Sequence, residues 1–128
     1  MSKRFFVLLL LLFVLAGCRQ QAEPTVNENV NIDLAFEPHE PTVGTSTVLV
    51  TLTDAAGNPI NDATVNIRGD MAHAGMQPVL REISAGANGS YSSQYEWTMA
   101  GDWEVTVAVT LPDGTSAEQR FDYAVAGN

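Results

Sequence analysis

The chain predicts an all-β fold: a seven-stranded antiparallel immunoglobulin-like β-sandwich without a disulfide. Three observations carry this. Apolar residues recur at every second position through most of the chain after residue 30, the period of a strand with one buried face. Turn-forming strings break that alternation at intervals of roughly 10 to 15 residues. No segment there has a convincing helical period, and a single cysteine excludes any internal disulfide.

The strands follow in order. Ile32, Leu34 and Phe36 alternate with polar or small residues, as do Val48, Val50 and Leu52. Asp54-Ala-Ala-Gly-Asn-Pro59 then reads as a loop, and Ala63, Val65 and Ile67 form the third alternating run. Val79 to Ile83 is shorter and weaker. Asn88-Gly89 marks a tight hairpin, because both residues tolerate the positive φ of a type I′ turn. Tyr91, Tyr95 and Trp97 share one face of the next strand with Ser93. Trp103, Val105, Val107, Val109 and Leu111 alternate up to the turn at Pro112-Asp113-Gly114. Phe121, Tyr123 and Val125 close the pattern. Seven short strands of this kind fit a two-sheet sandwich. With no disulfide, core packing must hold it, and Phe36, Tyr95, Trp97, Trp103, Phe121 and Tyr123 are the large pieces available.

The N-terminus has a different character. Lys3 and Arg4 precede an unbroken apolar run from Phe5 to Leu15. About eleven residues is too short to span a bilayer, which needs roughly twenty, and suits a signal peptide. Leu15-Ala16-Gly17-Cys18 resembles a bacterial lipobox, which implies cleavage after residue 17 and a diacylglycerol thioether on Cys18. The alternative is an ordinary secretory signal with a free thiol nearby. Lipidation also accounts for a lone cysteine in an exported chain, and two or more acyl chains give stable anchoring. Residues 18–29 are polar and aperiodic, as in a flexible tether. The organisation read from the sequence is thus 1–17 signal peptide, 18–29 lipidated cysteine and tether, and 30–128 one sandwich domain. It implies a location in the cell envelope, outside the cytoplasm, on a membrane that the domain does not cross.

Charge narrows the partners. The mature chain keeps four arginines and no lysine against fifteen carboxylates. Such a surface repels nucleic acid and attracts cations. Nothing in the sequence suggests more than a monomer.

Metal-ligating residue types are few and close together. Met71, His73 and Met76 lie within Asp70-Met-Ala-His-Ala-Gly-Met-Gln-Pro78, read as a loop between two strands. Thioether sulfur is soft and selects Cu(I), and imidazole also binds copper. Two sulfurs and one nitrogen would make a three-coordinate site. The competing reading makes Met71 and Met76 a cover over one end of the sandwich, with His73 simply exposed. Met99, before the Trp103 strand, reads as an end-of-core residue or an additional ligand. His39, in Glu37-Pro-His-Glu-Pro41, reads as exposed and joins a site only if its loop shares an end with His73. Enzymatic chemistry ranks last. Two histidines with no adjacent triad partners leave few bases, and there is no phosphate loop, cofactor fingerprint or zinc-type spacing. The remaining alternative is a metal-free immunoglobulin-like module that binds another envelope protein.

Several strings together resemble the YtkA-like family and, more loosely, FixH-like and CopC-type copper-associated domains. They are Pro41-Thr-Val-Gly44, Asp54-Ala-Ala-Gly-Asn-Pro-Ile60 with Ala63-Thr-Val65, the Met/His segment at 71–76, Gly89-Ser-Tyr91 and Met99-Ala-Gly-Asp-Trp103. The resemblance spans about residues 31–124. It implies an extracytoplasmic immunoglobulin-like domain that binds copper, acting as a chaperone or buffer in copper handling or oxidase assembly, with a copper-donor or copper-acceptor protein as partner. In one respect the chain departs from CopC proteins. Their N-terminal histidine chelates Cu(II) with the free amine, whereas a lipidated Cys18 removes that site here.

Overall fold

The structure, a computed structural model, describes residues 29–73 and 75–128. The expected signal peptide, the expected lipidation at Cys18 and nearly all of the expected tether fall outside the described residues. Seven strands follow in order: β1 Val30–Glu37, β2 Gly44–Asp54, β3 Thr64–Met71, β4 Val79–Ile83, β5 Ser90–Trp97, β6 Gly101–Thr110 and β7 Ser116–Val125. They form two antiparallel sheets, ordered β1-β2-β5 and β4-β3-β6-β7. This is an immunoglobulin-like sandwich in which the fourth strand pairs with the third instead of extending the opposite sheet.

Alternation decides which side chains fill the space between the sheets. Val48, Val50 and Leu52 of β2 face Val65 and Ile67 of β3 and Val105, Val107 and Val109 of β6, all essentially inaccessible to water. At one end of the core the large rings gather. Phe36 lies 4.8 Å from Trp97 and 4.9 Å from Tyr123, and Trp97 lies 5.4 Å from Trp103, mostly in edge-to-face or tilted pairs that suit aromatic quadrupoles. Phe121 and Tyr123 are half-buried rather than central. They sit on β7, an edge strand of the four-stranded sheet, so solvent reaches one side of them.

At the opposite end Tyr91 is fully buried and ties three segments together. Its hydroxyl donates to the Ile60 carbonyl at 2.7 Å and accepts from the Ala63 amide at 3.1 Å. Its ring lies against Gly86, where a Cβ would come within 2.5 Å of it. Tyr95 is handled differently. Its hydroxyl sits directly against Gly69, and among the described residues Tyr95 Oη and Trp97 Nε1 are the buried side-chain polar atoms with no hydrogen-bond partner. Burial accordingly pushes the Tyr95 hydroxyl up to about 12, with Arg81 opposing and Asp70 adding slightly.

The turns follow their sequence chemistry. Asn88 (φ 53°) and Gly89 (φ 77°) form the expected tight turn, closed by reciprocal Ala87–Ser90 bonds of 3.0 Å; it is an isolated bridge rather than a hairpin, because β4 and β5 lie in different sheets. In the loop after β2, Asp54 Oδ1 accepts from the amides of Ala56 and Asn58, each at 2.9 Å. The hydrogen bond from the Asn58 amide does most to hold the Asp54 carboxyl below its usual range.

Candidate functional site

Strand direction sorts the connections onto two poles. β1 ends, β2 begins, β3 ends, β4 begins, β5 ends and β6 begins at the same pole, as the pairs Gly44↔Trp97, Met71↔Trp103 and Gly69↔Val79 require. The residues carrying His39, His73, Met76 and Met99 are these connections, so every described methionine and histidine lies at one pole. His39 thus shares its end of the sandwich with His73. Its loop is fastened there by the Val43 amide donating to the Ala126 carbonyl at 3.0 Å and the Ala126 amide donating to the Pro41 carbonyl at 3.1 Å.

The five side chains differ in depth. The sequence places Met71 in a loop; in the structure it is the last residue of β3. Its parity follows Val65 and Ile67, so it points into the core and is only 9% exposed. Its methyl group lies against Gly101, where a Cβ would come within 3.1 Å of it. The backbone bends at Ala72 and His73, so His73 does not repeat the inward direction of Met71 and is exposed. Met76 is 37% exposed and Met99 46% exposed. Met99 is therefore no end-of-core residue. Its backbone is nonetheless fixed, because Trp103 Nε1–H donates to the Met99 carbonyl at 3.0 Å. The structure thus brings the methionines and histidines to one end without folding Met71, His73 and Met76 into a single buried cluster. Among the described residues no group of three or more His, Cys, Asp or Glu could hold a metal ion. A metal at this pole would depend on thioether sulfur, which selects a soft ion.

A second feature was not visible in the sequence. Asp70, Glu104 and Asp122 lie side by side across β3, β6 and β7 on the outer face of the sheet, and Asp102 stands one step nearer the pole. They line an open cleft of about 570 Å³ with Met71, Trp103 and Tyr123. Arg68 pairs with Asp70 at 2.8 Å, and Arg120 approaches Glu104 at 3.7 Å. The carboxylates outnumber these cations, so the cleft carries negative potential beside the methionine pole and favours cations there. Each residue alone reads as an ordinary outward strand position; only the register of three strands aligns them.

The site is a soft-donor pole with an acidic flank, set on an immunoglobulin-like sandwich. The chain belongs to the YtkA-like family, whose pattern it matches over residues 25–108. Among solved structures it is similar to a variant of superoxide reductase (neelaredoxin) from Ignicoccus hospitalis. The identity is 11% and the TM-score 0.54, over 76% of this chain and 79% of that one. Another structure of superoxide reductase (neelaredoxin) from the same organism gives 13% identity and a TM-score of 0.53, over 76% and 80% of the two chains. The PmoD soluble domain from Methylocystis sp. ATCC 49242 (Rockwell) gives 14% identity and a TM-score of 0.49, over 76% and 90%. At these identities the two reductase structures speak for the fold alone. No curated protein sequence gives a significant match to the chain.

Proposed function

We propose that this protein is a lipid-anchored copper-binding protein of the cell envelope that holds Cu(I) at its methionine/histidine pole as a chaperone or buffer. The observation that carries the reading is the gathering of His39, His73, Met76 and Met99 on the loops at one end of a sandwich, above Met71 at the buried end of β3. His73 and Met76 are the accessible first ligands. Met71 supplies a sulfur at the base of the pole, and Met99 and His39 are the further donors within the same end. Thioether and imidazole donors fit Cu(I) without a thiol, which suits an oxidising compartment. The acidic cleft favours the approach of a cation. Family membership agrees with this reading, since the YtkA-like resemblance implies copper handling. The protein acts by binding and passing an ion to or from a partner protein, and catalysis is not part of the proposal.

The test is an anaerobic Cu(I) competition titration against bicinchoninate. The expected result is one equivalent bound at submicromolar or tighter affinity, lost in the His73→Ala/Met76→Ala double variant. Unchanged affinity in that variant overturns the site. The second reading is a metal-free interaction module. Strand β4 is an open edge of the four-stranded sheet, which a partner strand could extend. A folded protein that fails to compete for Cu(I) would select this reading instead.

A further inference from the structure

Asn-Gly is the dipeptide in which an asparagine side chain most readily cyclises onto the next backbone nitrogen, because glycine offers no side chain to obstruct it. In Asn88-Gly89 the asparagine is exposed and the glycine buried, and on sequence grounds the pair is a site of spontaneous modification. The structure places three restraints on it. The Gly89 amide, the nitrogen that would attack, donates to Asn61 Oδ1 at 2.6 Å from the loop between β2 and β3. The Gly89 carbonyl accepts from the Leu52 amide at 2.8 Å. Gly89 itself is wedged so closely that a Cβ would come within 2.6 Å of the Leu52 carbonyl oxygen.

We infer that Asn88 is a latent deamidation site which Asn61 holds shut. In the reaction the Gly89 nitrogen forms a bond to Asn88 Cγ, and the Cγ–Nδ2 bond breaks. The nitrogen's proton leaves with the side-chain amide as ammonia. Water then opens the succinimide, leaving aspartate or isoaspartate at position 88. No oxidant or reductant takes part. The attacking nitrogen must first lose its bond to Asn61 and turn toward Asn88 Cγ, and the clamped Gly89 carbonyl and the Ala87–Ser90 closure resist that turn. Cyclisation therefore proceeds from a locally opened turn, at a rate scaled by how seldom it opens. Isoaspartate adds a methylene to the main chain of a two-residue turn. It would break the Ala87–Ser90 closure and pull Gly89 away from Leu52, where β5 joins β2. Asn61 acts here as a positioning residue.

The test incubates the full chain in warm, mildly alkaline buffer and follows amide-to-acid conversion at Asn88 by peptide mass spectrometry. The native protein is expected to convert far more slowly than the same protein in urea. Asn61→Ala should convert about five-fold faster than wild type, the factor corresponding to one hydrogen bond of about 1 kcal/mol. Asn61→Asp, which keeps an acceptor oxygen, should stay near the wild-type rate. Equal rates for native and urea-unfolded protein overturn the proposal, as does an unchanged Asn61→Ala rate or an equal rise in Asn61→Asp. Hydrogen exchange in the wild-type protein gives a reading that needs no variant. Protection of the Gly89 amide supports the latch, and exchange at the speed of an open amide refutes it.

Discussion

Replacing Tyr95 with phenylalanine should stabilise this protein, although Tyr95 lies at the centre of its core. The side chain is wholly buried and its hydroxyl has no hydrogen-bond partner. A buried unsatisfied hydroxyl costs about 1–3 kcal/mol relative to water. Removing the oxygen also loses its contact with Gly69, a matter of a few tenths of a kcal/mol at ~0.1–0.2 per atom pair. The space left is too small for a water molecule. The net gain should be about 1 kcal/mol or more, which for a domain of this size raises Tm by roughly 4–8 °C per kcal/mol. Tyr91→Phe is the control. Tyr91 is equally buried but satisfied twice, so that variant should lose about 1–3 kcal/mol and leave the Ile60 and Ala63 backbone groups unpaired. The assay is thermal or urea unfolding of both variants. It should be repeated at alkaline pH, because burial raises Tyr95 from an ordinary 10.0 to about 12. The native state keeps the proton more tightly than the unfolded chain. The contribution is therefore fully present below pH 10 and is lost as pH rises toward 12, by about 1.4 kcal/mol per unit. Tyr95→Phe should lack that loss, so its advantage over wild type should widen through this window. A Tyr95→Phe protein no more stable than wild type, or with no widening, would mean that the hydroxyl is satisfied and would refute the reasoning.

Two further outcomes follow from burial and sequence. Mild peroxide should oxidise Met99 and Met76 to sulfoxides before Met71, as their exposures of 46%, 37% and 9% require; peptide mass spectrometry gives the order, and the oxidised protein should bind Cu(I) more weakly because the soft sulfur donor is lost. If Cys18 carries the proposed lipid, Cys18→Ala should move the protein out of the membrane fraction in cell fractionation, and an unchanged distribution would overturn the anchor.

The strands were legible wherever alternation was unbroken. β2 and β6 carry valines or leucines at every second position, and the Asn88-Gly89 turn declares itself by residue type. The end of β3 was not legible. Gly69 interrupts the apolar series between Ile67 and Met71, so Met71 seemed to belong to the loop that follows. The glycine is small because the Tyr95 hydroxyl from the opposite sheet occupies the place of its Cβ, and no local pattern reveals a neighbour 26 positions away. The candidate site divides in the same way. Residue chemistry identified the methionines and histidines, but their meeting at one pole depends on strand direction. The acidic cleft depends on three-strand register, which a single strand's periodicity does not encode. Met99 misled because methionine is usually core filler, whereas the tight turn before Trp103 leaves its side chain outside.

Ala126, just beyond β7, is bonded to Pro41 and Val43 at the methionine/histidine pole, while β1 starts at Val30, paired with Asp54, at the other. Eight residues of β1 at about 3.3 Å each separate the two poles by about 25 Å. Anything fused after Ala126 is therefore delivered to the methionine/histidine pole. A C-terminal polyhistidine tag would place a bank of imidazoles beside Met76 and Met99 and counterfeit the very titration meant to detect them. The same tag ahead of Val30 would enter at the far pole and leave the reading clean.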